Sequence, residues 1–180
     1  TEKDVATNKE ICDIKKIMGL KENTEYSDVS TLRYGRIMIM TDQDVDGSHI
    51  KGLIINFLSR WPSLIKLNGF ITSLSTPIIK AKKGSRVKNF YNLSEFENWN
   101  KLPTSSGYKI KYYKGLGTST PNEAKEYFKE FKIIIYNWNE LTENSIDLAF
   151  CNKRADDRKE WLLGYDRQNV LDLSQTNHTY

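Results

Sequence analysis

Ile37-Met38-Ile39-Met40-Thr41-Asp42-Gln43-Asp44-Val45-Asp46-Gly47-Ser48 is the stretch on which the reading of this chain turns. Its first four residues form a continuous apolar run, the pattern of a strand buried on both faces. Three aspartates follow at intervals of two. If extended geometry continues, residues i and i+2 point to one side, with carboxylates about 7 Å apart. Like charges that close repel unless a cation sits between them. Carboxylates with open positions suit Mg²⁺, which keeps waters and shares substrate phosphates. A helix predicted to begin near Ser48 brings free amides and a positive dipole end, which favour phosphate. Open α/β sheets also place ligands beyond the carboxyl ends of their strands. The plainer reading of the same residues is an Asp-rich turn that caps a helix.

Working outward, Ile50, Leu53, Ile54, Phe57, Leu58 and Trp61 recur at helical spacing, and Pro62 is expected to end that helix. Upstream, Asn8 to Leu20 predicts a helix with Ile11, Ile14, Ile17 and Met18 as its stripe and Gly19 as its stop. Residues 21–30 read as a polar loop. Downstream, a strand is expected within Phe70 to Ala81, a basic turn at Lys82 to Arg86, and strands around Phe90-Tyr91 and over Tyr108 to Tyr113. Thr120-Pro121-Asn122-Glu123 is a capping box with proline at the first helical position, opening a helix with Ala124, Tyr127, Phe128 and Phe131 on one face. Two more helices are expected near Ile146–Phe150 and Ala155–Leu163, with Asp156-Asp157 at the start of the second. Strands alternating with helices predict an α/β layer fold.

The chain has 180 residues, 38% hydrophobic and 12% aromatic, which suits one domain or one domain with an appendage. No apolar run approaches the roughly 20 residues of a membrane helix. The opening Thr1 to Glu10 lacks the pattern of a signal peptide, so an intracellular, soluble, globular protein with no membrane partner is expected. Cys12 and Cys151 have no partners at metal-ligand spacing, which argues against zinc and against a disulfide scaffold. The net charge of +4 leans mildly towards polyanions. Lys80, Lys82, Lys83, Arg86 and Lys88 form the densest basic patch, read first as a solvated hairpin tip and second as a non-specific phosphate contact. Trp61, Trp99, Trp138 and Trp161 read as packing residues rather than base-stacking platforms.

Rival motifs compete for the same residues. A calcium loop beginning at Asp42 needs an acidic twelfth position, and that position is Leu53. A phosphatase of the haloacid dehalogenase type would use Asp42 and Asp44, but needs a later acidic pair for Mg²⁺, for which only Asp156-Asp157 offers itself. A non-enzymatic α/β nucleic-acid-binding module with a structural ion is the third possibility.

The run from Met38 to Phe57 resembles the metal-binding half of the Toprim domain of type II DNA topoisomerases, in its eukaryotic form. Asn8 to Ile11, Ile14 to Leu20, Leu32 to Gly35, Thr76 to Lys80, Tyr112 to Ser119 and Asp156 to Leu162 resemble that family's landmarks in the same order. Gln43, Lys51 to Phe57 and Gly117-Thr118-Ser119 lean eukaryotic, while Val45 is as in gyrase. The resemblance implies a Rossmann-like Toprim fold that lacks its first strand, with a helical C-terminal extension. It divides the chain into a lead-in at 1–30, a Toprim core with inserted strands at 31–135, and an extension at 136–180. It implies that Asp42 and Asp44 are catalytic ligands of Mg²⁺, or of Mn²⁺ in its place, with Asp46 supporting a second ion. His49, Lys51, Lys114, Gly115 and Gly117 would lie at DNA. For His49 a local hydrogen bond, for Lys51 a solvated position and for the glycines a plain turn are the competing readings.

By the same resemblance, metal ions assist transesterification by a tyrosine, with a glutamate as general acid, and neither is in this chain. Tyr180 falls just before the domain that would carry the nucleophile and is not expected to be it. Lys114 to Thr118 lacks the spacing of a P-loop, so ATP would be used by a module absent here. The implied partners are double-stranded DNA, the ATPase and winged-helix parts of the same polypeptide, and a second copy in a homodimer. The location implied is the nucleus of a cellular eukaryote, or host cytoplasm or nucleus for a large DNA virus. The piece alone is expected to be inactive.

Overall fold

A computed structural model gives the structure of residues 2–113, 115–129, 132–166 and 175–180. A short helix, α1 (Glu2–Thr7), precedes α2 (Lys9–Met18). Asn8 caps α2 by accepting from the Ile11 amide at 2.9 Å, and Gly19 closes it at φ 78°, donating to the Lys15 carbonyl. That left-handed turn is one only glycine adopts without cost. The chain then runs through β1 (Ile37–Ile39), α3 (Val45–Leu58), α4 (Pro62–Ile65) and β2 (Ile71–Leu74). Here β2 returns parallel to β1, with Ile37 opposite Ile71, so the first half is a βαβ unit.

Next come β3 (Ile79–Lys83), β4 (Arg86–Phe90), α5 (Leu93–Asn100) and β5 (Lys109–Tyr112). They are followed by α6 (Pro121–Lys129), β6 (Ile133–Asn137), α7 (Thr142–Phe150), α8 (Ala155–Leu163) and β7 (Asn177–Thr179). Among the described residues two sheets result, one ordered β1-β2-β6-β7 and one ordered β4-β3-β5. The α/β expectation holds, and the C-terminal extension is helical through α7 and α8 before β7 pairs parallel with β6.

Each sheet has its own apolar core. Phe57, Leu58, Trp61, Leu64, Ile65, Phe70, Ile71 and Ile134 pack the larger one, and the Trp61 indole donates to the Lys21 carbonyl at 2.8 Å. Ile79, Ala81, Phe90, Phe96 and Trp99 pack the smaller, where the Phe90 and Phe96 rings meet edge-on at 5.3 Å.

The structure corrects several sequence expectations. The strand expected within Phe70–Ala81 is two strands in different sheets, because Ser75 to Ile78 carries the chain from one to the other. Among the described residues β1 is an edge strand; Ile37 and Met38 are half-buried and Met40 is exposed, so the run is not covered on both faces. The helix after it starts earlier than expected and ends at Leu58, while Pro62 opens α4 instead of ending α3. Its apolar stripe is buried only at Phe57, Leu58 and Trp61; Ile50 and Leu53 are exposed. Lys80 does not belong to the solvated tip: it is buried, with its ammonium over the Tyr127 ring and 3.4 Å from Glu126. Trp161 is exposed, while Trp61 and Trp99 are buried as expected. Phe128 is exposed, Ala124 and Tyr127 are half-buried, and Phe131 lies outside the described residues.

A candidate metal and DNA site at the end of the first strand

Beyond Ile39 the chain leaves the strand, and Asp44 becomes the N-cap of α3. Its Oδ1 accepts from the Gly47 amide at 2.8 Å, and its carbonyl accepts from the Ser48 hydroxyl at 2.9 Å. Asp46 therefore lies in the first helical turn, and the extended spacing of three like-facing carboxylates does not form. The reason is local: a capping aspartate offers the backbone a hydrogen bond that a continued strand at this edge does not. Gln43 ties the loop to the sheet by donating to the Leu74 carbonyl at 3.0 Å.

Two glycines allow close approach to Asp42. A Cβ at Gly47 would lie 2.0 Å from the Asp42 carbonyl oxygen, so only glycine lets α3 begin against that backbone. From the other side, a Cβ at Gly115 would lie 2.4 Å from Asp42 Oδ2 and 2.7 Å from Oδ1. The aspartate motif and the Tyr112–Ser119 motif, distant in sequence, thus meet at one exposed carboxylate. The Gly115 turn is compact, its carbonyl accepting from the Thr118 amide at 3.1 Å and hydroxyl at 2.7 Å.

The remaining expected residues are placed as follows. His49 is exposed on α3, and Gly117 is exposed with open space where a side chain would go. Lys51 is half-buried, and burial pushes its ammonium below the usual lysine pKa. Lys114 lies outside the described residues. Tyr180 stacks on Tyr136 at 5.7 Å and donates to the Ile65 carbonyl at 3.3 Å, with burial raising its pKa. Sequence reasoning passed over Gln43 as an anchor, and over Thr41, whose buried hydroxyl has no hydrogen-bond partner among the described residues.

Among the described residues, no three His, Cys, Asp or Glu side chains gather to hold a metal ion. Mg²⁺ does not require such a cage, since one or two carboxylates complemented by waters and phosphates are its usual protein ligands. Asp42 and the half-buried Asp44 supply that hard-oxygen set, one oxygen of Asp44 being engaged by the cap. The phosphatase alternative lacks its second acidic pair. Asp156 and Asp157 are in the first turn of α8, exposed and paired with Lys159 and Arg154 at 2.9 and 2.8 Å.

Alongside β1 runs an open apolar groove of 470 Å³, lined in part by Ile14, Ile17, Met38, Met40, Ile50 and Ile54. Thr41 also lines it.

Residues 74–180 match the family described as the C-terminal associated domain of TOPRIM, more than half of the chain. This chain belongs to that family. Its relatives include DNA topoisomerases 2 of eukaryotes. It is 48% identical over 185 residues to DNA topoisomerase 2 of Arabidopsis thaliana, covering 98% of this chain and 12% of the relative. It is 50% identical over 171 residues to human DNA topoisomerase 2-beta, covering 91% of this chain and 10% of the relative. A crystal structure of the Plasmodium falciparum topoisomerase II DNA-binding, cleavage and re-ligation domain superposes with a TM-score of 0.93 at 45% identity. That match covers all of this chain and 25% of the solved one. The chain thus spans about a tenth of the length of these curated relatives, and it is a Toprim region of the topoisomerase II family rather than the whole of such a protein.

Proposed function

We propose that this chain is the metal-binding, DNA-facing part of an ATP-dependent type II DNA topoisomerase. The observation that carries the reading is the meeting of Asp42, the N-terminus of α3 and the Gly115 turn at one exposed point. In the whole enzyme both strands of one duplex are cut, another duplex is passed through, and the break is resealed. A divalent ion, Mg²⁺ or Mn²⁺, supplies neutralisation of charge on the attacking and leaving oxygens of the transesterification. Asp42 and Asp44 would hold it, and Asp46 in the first turn of α3 would add negative charge for a second ion. The first-turn amides of α3, of which Asp44 takes the one at Gly47, lie at the positive end of the helix, a place that favours a backbone phosphate. His49 and Lys51 on α3, together with Gly115 and Gly117, form the DNA-facing rim, and the resemblance assigns Lys114 to DNA as well.

Tyr180 is not the nucleophile of this reaction. Tyr180 has its hydroxyl engaged by Ile65 and its pKa raised by burial, both unsuited to attack. The tyrosine, the general-acid glutamate and the ATPase module come from the rest of the polypeptide, which acts as a homodimer, in the nucleus if the source is a cellular eukaryote. One further strand from outside this chain lies against β1. The open edge, the exposed Tyr34, Met40 and Ile50 beside it and the unpartnered Thr41 hydroxyl support that placement.

The test uses the full-length protein and linked DNA circles with Mg²⁺, with and without ATP. Wild type unlinks them only with ATP, and Asp44→Asn loses about 100-fold or more in rate, with its circular dichroism unchanged. Wild-type unlinking by Asp44→Asn would reduce the cluster to a helix cap and overturn the mechanism.

A further inference from the structure

Glu123 holds more partners than a helix cap requires. The capping box itself is complete: Thr120 Oγ1 accepts from the Glu123 amide at 3.3 Å, and Glu123 Oε2 accepts from the Thr120 amide at 2.8 Å and hydroxyl at 3.0 Å. The same carboxylate also accepts from Lys111 Nζ, at 2.8 Å on Oε2 and 3.1 Å on Oε1, and from the Tyr113 hydroxyl on Oε1. Lys111 is on β5 and Tyr113 follows it, while Thr120 precedes α6. One side chain therefore ties together the two ends of the turn that carries Gly115. Lys111 and Tyr113 contribute nothing to capping α6, so their convergence on Glu123 needs another reason.

That reason is geometric. Tyr113 is buried, and its amide donates to the Ile78 carbonyl at 2.8 Å, so the entrance to the turn is anchored to the smaller sheet. The exit is anchored by Thr120. Between them, the Thr118 bonds to the Gly115 carbonyl make the turn a short rigid piece, whose Gly115 backbone lies against the Asp42 carboxylate. Fixing both ends of a rigid piece fixes its middle. We propose that Glu123 is a positioning residue, which fastens the Gly115 turn onto Asp42 and thereby sets how well that carboxylate is placed to hold a divalent ion. The metal half of this statement rests on the function proposed above; the fastening half does not.

The experiment uses the full-length protein with Glu123→Gln, Tyr113→Phe and Asp42→Asn. The first removes the charge at nearly constant shape, and the second removes one donor while keeping the buried ring. Two quantities are measured: hydrogen exchange of amides 115–118 in metal-free protein, and the Mg²⁺ concentration giving half-maximal DNA cleavage. Glu123→Gln is expected to speed exchange at 115–118 and to raise the half-maximal Mg²⁺ about tenfold, the scale of losing a partner that orients a metal ligand. The rate at saturating Mg²⁺ should fall by less than about threefold, because no group that touches the reacting atoms is altered. Tyr113→Phe should move both in the same direction by smaller amounts, and it decides the matter if Glu123→Gln fails to fold. Faster exchange confined to residues 121–124, with wild-type Mg²⁺ dependence, would make Glu123 an ordinary helix cap and overturn the proposal. Unimpaired cleavage by Asp42→Asn would instead sink the metal reading, and the exchange at 115–118 would still decide the fastening.

Discussion

Asp44 and Glu123 occupy similar places, each a carboxylate at the start of a helix accepting a backbone amide, yet their surroundings differ. Asp44 caps α3 through one oxygen to Gly47, beside the exposed Asp42. Glu123 has both oxygens taken by Lys111, Tyr113 and Thr120. Burial opposes its charge, but these hydrogen bonds outweigh burial and hold its pKa down to about 2. A carboxylate saturated by protein donors fastens backbone. One with capacity left beside a second carboxylate can take an ion. Asparagine separates the two roles at Asp44, because it caps as well as aspartate but carries no charge. Asp44→Asn should therefore melt within a few tenths of a kcal/mol of wild type, and Asp44→Ala about 1 kcal/mol lower. Both should lose cleavage alike, by about 100-fold. Loss of cleavage in Asp44→Ala alone would collapse the contrast and make Asp44 a cap.

The two glycines at Asp42 sharpen the same contrast from the side of shape. Gly47→Ala meets the Asp42 backbone carbonyl at 2.0 Å, and backbone cannot swing away, so thermal unfolding should show a loss of about 2–3 kcal/mol. Gly115→Ala meets the Asp42 carboxylate first, the end of a side chain rather than backbone. Its stability cost should stay below about 1 kcal/mol, since overpacking is cheap where the neighbour yields. The displaced carboxylate should nonetheless raise the Mg²⁺ requirement for cleavage about tenfold. Equal stability losses in the two variants would mean that Asp42 is as immobile at its tip as at its backbone.

Acid should separate the regions further. The folded Glu123 pKa of about 2 lies below its ordinary 4.5, so its contribution to stability is fully present above pH 4.5 and is lost as pH falls towards 2. In Glu123→Gln that part of the slope should vanish, leaving a flatter unfolding midpoint between those pH values. An unchanged slope would mean that Glu123 titrates alike in folded and unfolded chains.

Much of this was legible in the sequence. The capping box at Thr120, the stop at Gly19 and the helix at Ala155–Leu163 all depend on local chemistry and are where the residues placed them, while the basic turn expected over Lys82 to Arg86 narrows to Gly84-Ser85, its basic residues pairing in β3 and β4. What local pattern could not supply was partner identity across the fold. The run Ile133 to Tyr136 is a strand, buried at Ile134 and Tyr136, that pairs with β2, but on composition it resembles any short apolar stretch. The apolar run at Ile37 to Met40 reads as covered on both faces because its composition anticipates packing on each, and Met40 is nonetheless exposed with Ile37 and Met38 half-buried. Asp42, Asp44 and Asp46 stood out by spacing, yet the spacing implied an extended geometry that the Asp44 cap replaces. Glu123 was visible as a capping residue, whereas its bonds to Lys111 and Tyr113 exist only once β5 and α6 are brought together.

The smallest expected effect concerns Lys51, on α3 close to both carboxylates in sequence. A lysine whose pKa burial has lowered is less favourable charged in the folded state than in the unfolded one, so removing its charge should not destabilise the protein. Keeping a cation in such a place makes physical sense if an anion meets it there, and in the proposed function that anion is a DNA phosphate. Lys51→Gln should then leave thermal unfolding unchanged or slightly improved. The salt dependence of DNA binding should become shallower by about one unit in its log–log slope, the signature of one phosphate fewer neutralised by the protein. A stability loss with an unaltered slope would assign Lys51 to packing, where its stem covers apolar surface. The contrast between carboxylates that fasten and carboxylates that bind would then have no counterpart among the cations, with Lys111 and Lys51 both serving the fold.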